Sequence, residues 1–301
     1  MSLMDVARGA YARSPQLVRR SLAPLVSLVP TGLKFGSTYR RWRTRIARSH
    51  AEPAFAAEQH LAGLRQVIGT AYAASPFYRE LFAERFGAGF DPTTFEIADL
   101  RRLPILRKEE IRDAGDRLLT VPKSQADQGD TSGSNGERPL TFYLDKDRSA
   151  REMAFVYDNW SRVGFTEASS KIVLRGFGLN GDGRRTTEWE PALRELRLSV
   201  YPMTHEDVGH YIDLIDRHGL EYLYGYPSAI ELMCRHMSRI GRQLKRPLKG
   251  ILPISEPLHA HQRRLIAVEH RDVVLAEAAA LVSLAPGDLV SGDDRDAGPV
   301  E

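Results

Sequence analysis

The chain has 301 residues, 42% of them hydrophobic and 27% charged, enough for one large or two ordinary domains around a sizeable core. A net charge of only +3 argues against a broadly basic nucleic-acid binder, so no nucleic-acid partner is expected. A single cysteine, Cys234, excludes a disulfide framework and a cysteine-rich zinc site and suits the reducing cytoplasm.

Residues 1–50 carry nine arginines and Lys34 against Asp5 alone. Within them, the apolar stretch 22–33 follows Arg19 and Arg20. It contains Pro24 and Pro30, lacks a small-residue cleavage site and is too short to span a bilayer. The segment reads as a basic N-terminal arm that packs on the domain or lies beside it. Basic residues flanking apolar ones would also suit a peripheral contact with an anionic membrane surface.

Residues 54–73 predict an amphipathic helix with Leu61, Leu64, Val67, Ile68 and Ala71 along one face. Ser75 as N-cap and Pro76 at the first helical position start the next helix, which Gly87 closes. Pro104 breaks the chain before a short helix from Lys108. The alternating run 140–144 reads as a strand, and a helix with Met153, Val156, Tyr157 and Trp160 ends at Gly164. KIVLRG, at 171–176, reads as a buried strand. Thr204 and Asp207 form a capping box for a helix ending near His218, with Gly219 as its stop. EYLYGYP is a strand and turn, 228–240 a helix stopped by Gly241, and GILPIS another strand, after which Pro257 opens a helix. In AIELMCRHM, Cys234 lies at helical spacing from Ile230 and Met237 and reads as a buried core thiol. This alternation predicts an α/β fold, a parallel sheet flanked by helices. Residues 271–301 hold no aromatic residue and no lysine, and offer an alanine-rich helix followed by an acidic tail.

The loop TSGSNGERP is the sharpest chemical signal. Thr131, Ser132 and Ser134 supply hydroxyls, Asn135 an amide, and Gly133 and Gly136 let backbone amides approach an anion. Arg138 could pair with phosphate oxygens. The Gly-Lys-Ser/Thr ending of a Walker A loop is missing. By itself such a turn is more often just a mobile connection between two strands.

With its surroundings, the loop resembles that of the phenylacetate–CoA ligase branch of the adenylate-forming (AMP-binding) superfamily, CapK-like and coenzyme F390 synthetase-like members in particular. The family's loop, proline and short strand look like residues 131–143, and its upstream LP-x-x-x-K like Leu103, Pro104 and Lys108. Its PFYR element is similar to Pro76, Phe77, Tyr78 and Arg79, and its GYPS turn to Gly225, Tyr226, Pro227 and Ser228. Its x-E-P-L turn before a Q-R helix is similar to Ser255, Glu256, Pro257, Leu258, Gln262 and Arg263.

The resemblance implies an AMP-forming carboxylate–CoA ligase using ATP, Mg2+ and coenzyme A. A small carboxylic acid attacks the α-phosphate, and a thiol captures the acyl group. Residues 131–138 would grip pyrophosphate, Ser255, Glu256 and Pro257 would border adenine, and Tyr226 and Pro227 would wall the acyl pocket. A core aromatic for Tyr226, and a helix-start carboxylate for Glu256, are the plainer readings. The resemblance spans 51–270 as a partial large domain. The chain departs from the pattern in having Glu137 and Arg138 where the family has one residue before the proline. It also lacks the aromatic-Gly-x-Ser/Thr-Glu motif whose glutamate helps hold magnesium, and no lysine follows Lys249. Truncation or a shifted reading frame, loss of the lid domain and poor activity of the chain alone are therefore expected. An incomplete sheet predicts self-association. The other expectation is a non-catalytic nucleotide- or partner-binding module linked to capsule or exopolysaccharide biosynthesis.

No metal site is expected from residue spacing. His205, His210 and His218 lack further ligands at suitable positions, and His259 and His261 should face different ways on a helix. GLNGDGRR, at 178–185, reads as a surface loop in which Arg184 and Arg185 could meet an anionic substrate.

Overall fold

A computed structural model describes residues 21, 25–26, 29–131, 138–176, 179, 186–190, 193–270 and, by backbone alone, 274–275. It divides into two units, Phe35–Phe155 and the described residues of Met1–Lys34 with Val156–Glu301. A single helical turn, α1 (Thr31–Lys34), belongs to the second unit, where the Thr31 hydroxyl donates to the Glu167 carbonyl (3.2 Å).

The first unit opens on three helices: α2 (Gly36–Ala51), α3 (Pro53–Ala74) and α4 (Pro76–Phe86). Proline stands at the first position of α3 and of α4, where its missing N–H costs nothing. On α2, Trp42 packs against Phe155 (5.4 Å between rings) and Arg43 donates to the Ala154 carbonyl (3.5 Å). The Ser75 hydroxyl caps α4 by accepting from the Tyr78 N–H, and Gly87 ends the helix at φ 95°. The predicted face of α3 is half-buried or buried at Leu61, Leu64, Ile68 and Ala71, but Val67 is 66% exposed. It lies about 100° around the helix from Ile68, at the edge of the stripe. Ile68, Phe82 and Phe95 form this unit's small core. Next come α5 (Lys108–Ala114) and an antiparallel hairpin of β1 (Asp127–Asp130) and β2 (Thr141–Leu144). Helix α6 (Arg148–Ser161) then carries the chain into the second unit.

That unit is built on a six-stranded sheet from β3 (Lys171–Leu174), β4 (Thr187–Glu190), β5 (Glu195–Leu198), β6 (Tyr222–Gly225), β7 (Gly250–Pro253) and β8 (Val274–Leu275). Its order is β4-β5-β3-β6-β7-β8, parallel throughout except for β4, which runs antiparallel to β5 at the edge. Helices α7 (His205–His218), α8 (Pro227–Ile240) and α9 (Ala260–Glu269) complete it. Strand alternation divides the buried residues between two faces. Ile172, Leu174, Leu196, Leu198, Leu223 and Ile251 pack with Val208, Ile212, Ile230 and Met233 of α7 and α8. From the opposite face, Tyr224 meets Trp160 (4.8 Å) and Tyr222 meets Phe165 (5.0 Å). Lys171 is buried on that side, paired with Glu195 (3.0 Å) and set over the Trp160 and Phe165 rings.

The parallel α/β class is therefore observed, with an antiparallel edge that the sequence did not announce. One helix begins elsewhere than expected: α9 starts at Ala260 after a cap at His259, because Ser255, Glu256 and Pro257 are taken up by a turn. The alanine-rich helix and acidic tail expected beyond residue 271 lie outside the described residues, apart from β8. No helix among the described residues is long and apolar enough to cross a membrane.

Candidate functional site: the strand-end turns

Strands β6 and β7 run parallel and in register from Tyr222 opposite Gly250 to Gly225 opposite Pro253, so both release the chain at the same edge. A Cβ on Gly225 would lie 2.6 Å from the Leu174 carbonyl oxygen, which is why only glycine fits there. That close approach lets the Tyr226 N–H donate to the Leu174 carbonyl (3.0 Å), while the Ile254 N–H donates to Gly225 (3.1 Å). Tyr226 is half-buried as the N-cap of α8, and Pro227 is buried at its first position.

Beside them, Ser255 adopts a left-handed conformation (φ 65°), uncommon for a residue with a Cβ. This turn directs Glu256 onto the start of α8. Its Oε2 accepts from the Ser228 N–H and its Oε1 from the Ser228 hydroxyl, both at 2.9 Å. The carboxylate thus satisfies an open amide at a helix N-terminus, where the helix dipole favours negative charge. The plain reading of Glu256 as a helix-start carboxylate holds with a change of helix: it serves α8, twenty-eight residues earlier, rather than the helix that follows it.

The first turns of α8 also border a recess of about 290 Å³. Val200, Tyr201, Ala229 and Leu232 give it an apolar wall, and Ser228, Glu231 and Arg235 a polar one. Glu231 accepts from Arg235 (2.6 Å) and Gln262 (2.9 Å), and these two hydrogen bonds, Arg235's first, lower its pKa. Cys234 lies behind this face in the core, fully buried, with its thiol pKa pushed up by burial to about 12. It is a packing residue and no nucleophile.

Of the expected phosphate loop, Ser132, Gly133, Ser134, Asn135 and Gly136 lie outside the described residues, as do Arg184 and Arg185. Its neck is described. The Thr131 N–H donates to the Leu140 carbonyl (3.0 Å), and the Thr131 hydroxyl accepts from the Leu140 N–H (2.9 Å), closing the end of the β1–β2 hairpin. Arg138 is exposed and its carbonyl accepts from Arg112 (2.5 Å). Of the two paired strands, the first, DQGD, carries no strand signal of its own. Among the described residues, no group of three or more His, Cys, Asp or Glu side chains could hold a metal ion, so they offer no carboxylate set for magnesium. His259 and His261, expected to face apart, instead stack at 5.8 Å, because His259 precedes the helix as its cap.

No family model matches the chain. It is 23% identical over 187 residues to Protein CapK of Staphylococcus aureus, covering 61% of this chain and 41% of that protein. Among solved structures it is similar to 2-hydroxyisobutyryl-CoA ligase in an open conformation with 2-HIB-AMP and CoA. There the TM-score is 0.55 at 18% identity, over 74% of this chain and 53% of that one. The same enzyme in its postadenylation state with R3-HIB-AMP gives a TM-score of 0.52 at 19% identity, over 71% and 46%. The chain has the fold of an adenylate-forming enzyme. It spans about half the length of that ligase and less than half of CapK.

Proposed function

We propose that the chain carries nucleotide- and acyl-binding elements of an AMP-forming carboxylate–CoA ligase of the phenylacetate–CoA ligase and CapK type. One observation carries the reading. The turns 226–228 and 255–257 meet at the carboxyl ends of adjacent parallel strands and are tied together by Glu256 and Ser228. Open α/β sheets take their ligands at such strand ends.

In this reading, adenine lies along Ser255, Glu256 and Pro257, and the acid along Tyr226 and Pro227. The residues from Thr131 to Arg138 hold the phosphates. The acid's carboxylate oxygen attacks the α-phosphorus, the bond to the bridging oxygen breaks, and pyrophosphate leaves. The thiol of coenzyme A then attacks the acyl carbon and AMP departs. The chain's contribution is positional and electrostatic: amides, hydroxyls and Arg138 hold the triphosphate in line for attack and offset its developing charge. Magnesium is expected beside the triphosphate.

The test is a titration with ATP and magnesium, followed by differential scanning fluorimetry on the natural chain and on Gly133→Asp. Saturable stabilisation that disappears in the variant is expected, since a carboxylate in the loop repels phosphate. Absence of stabilisation in the natural chain, or equal stabilisation of both, sinks the reading.

A further inference from the structure

One pair of side chains away from the strand-end turns has the chemistry of a ligand set. His205 is the first residue of α7, and His236 lies in the third turn of α8. The two helices share one core, through Val208 and Ile212 on one and Ile230 and Met233 on the other. That packing brings the two imidazoles together at 4.5 Å between centroids and 74° between planes. The two Nδ1 atoms face each other in direct contact.

Two ring nitrogens facing one another can share a single proton, or both can give their lone pairs to one cation. Ligands on a tetrahedral zinc ion, each about 2.0–2.1 Å from it, stand roughly 3.3 Å apart. The rings must turn apart to that separation to accept such an ion, and each sits at the end of a rotatable side chain. His205 is exposed and His236 partly so, leaving a path from solvent.

The surroundings suit neutral ligands. Burial, followed by the nearby charges of His205 and Arg239, lowers the His236 pKa, while the Asp207 carboxylate acts in the opposite direction. A neutral imidazole is the ligating form. Asp207 is held by the Thr204 N–H (2.9 Å) and hydroxyl (2.7 Å) and adds negative charge to the neighbourhood of the ion. The other histidine pair, His259 and His261, stacks ring on ring at 5.8 Å rather than edge to face. His218 stacks on Trp189 with 4° between planes, and His261 faces Glu231 at 3.5 Å.

We propose that His205 and His236 form a two-imidazole site for a borderline divalent cation, zinc, nickel or copper(II), which clips α7 to α8 with water completing its coordination. Nitrogen ligands select these ions over magnesium, which demands oxygen. The site is independent of the nucleotide reading and stands whether or not ATP binds.

The experiment is calorimetric titration of the full, tag-free, chelator-treated chain with zinc, nickel and copper(II) chlorides, paired with thermal unfolding. Uptake of one ion per chain and a saturable rise in Tm are expected. Both should be lost in His205→Ala and in His236→Gln, kept in His261→Ala, and unaffected by excess magnesium. His205 is exposed, so its replacement leaves the core untouched and keeps the result readable if the His236 variant folds poorly. No saturable uptake of any of the three ions, or uptake unchanged in both variants, overturns the site.

Discussion

Each of the two units has an interior of its own kind. In the sheet unit, alternate strand residues such as Ile172, Leu174, Leu223 and Ile251 interlock with two helices in a continuous aliphatic core. The helical unit relies on rings. Phe82 stacks on Phe90 at 5.1 Å, Phe86 meets Phe95 edge-on at 5.5 Å, and Tyr72 meets Phe90 at 5.2 Å. Its ion pairs, such as Arg65 with Glu96 and Arg117 with Glu80, lie mainly at the surface, where they stabilise little. The sheet unit instead contains a charged pair that water scarcely reaches. The difference shows where a single substitution does most harm: to the sheet unit through an abandoned buried charge, and to the helical unit through a lost cap.

The largest effect is expected at Lys171. Its side chain is 3% exposed and that of Glu195 is 12% exposed. Removing one partner of a buried pair costs about 3–5 kcal/mol when the remaining charge is stranded, and the lower end is expected here because Glu195 keeps Arg197 at 3.2 Å. Lys171→Ala should therefore lower the urea midpoint of the sheet unit, read from the fluorescence of Trp160, whose ring lies 5.6 Å from the Lys171 ammonium. Lys171→Met with Glu195→Leu should recover most of the loss, since Arg197 keeps Glu188 at 3.5 Å and no lone charge remains. An unchanged midpoint in Lys171→Ala would mean that Arg197 alone satisfies Glu195.

A second effect separates the units by pH. His270 is 3% exposed, beside the Cys234 sulfur at 3.7 Å, and burial lowers its pKa from 6.5 to about 4. The unfolded chain takes up this proton near pH 6.5, whereas the folded chain resists it until about pH 4. The folded state therefore binds fewer protons in that window, and stability falls as pH drops from 6.5 towards 4. Each unit of difference is worth about 1.4 kcal/mol. Above pH 6.5 the contribution is fully present. The described histidines of the helical unit, His50 and His60, are exposed. Unfolding midpoints measured from pH 7.5 to 4.5 should fall steeply in the natural chain and less steeply in His270→Gln. Parallel slopes would show that other groups govern the acid loss.

The sequence spoke clearly where local chemistry and tertiary need agreed. Thr204, Asp207 and Gly219 delimit α7 as expected, because capping involves only neighbours in the chain. KIVL, YLYG and GILP announce central strands because burial on both faces leaves no room for polar residues. TEWE and ELRL were silent, being mixed in polarity, with TEWE at the edge where one side meets no strand. The turn at 255–257 was legible as a motif, but not the grip of Glu256 on Ser228. Nor was the meeting of His205 with His236, thirty-one residues apart. Such contacts depend on how two helices lie against one sheet, which spacing along the chain does not encode.

The smallest of the three effects concerns Ser75, the cap of α4. Its hydroxyl accepts from the Tyr78 N–H (3.3 Å) and donates to the Arg117 carbonyl (2.7 Å), and the residue is fully buried. Loss of a capping hydroxyl costs about 1 kcal/mol, within a range of roughly 0.5–2. Here the upper part of that range is expected, because Ser75→Ala leaves an amide and a carbonyl unsatisfied away from water. Thr204→Ala, at an exposed cap in the sheet unit, removes the bond to the Asp207 N–H (3.1 Å), but water can replace it. Paired thermal scans should thus place Ser75→Ala below Thr204→Ala, with amide exchange at Tyr78 quickened in the first variant only. Equal losses would mean that the Ser75 bridge to Arg117 adds nothing to capping, and that the helical unit is no more sensitive at its caps than the sheet unit.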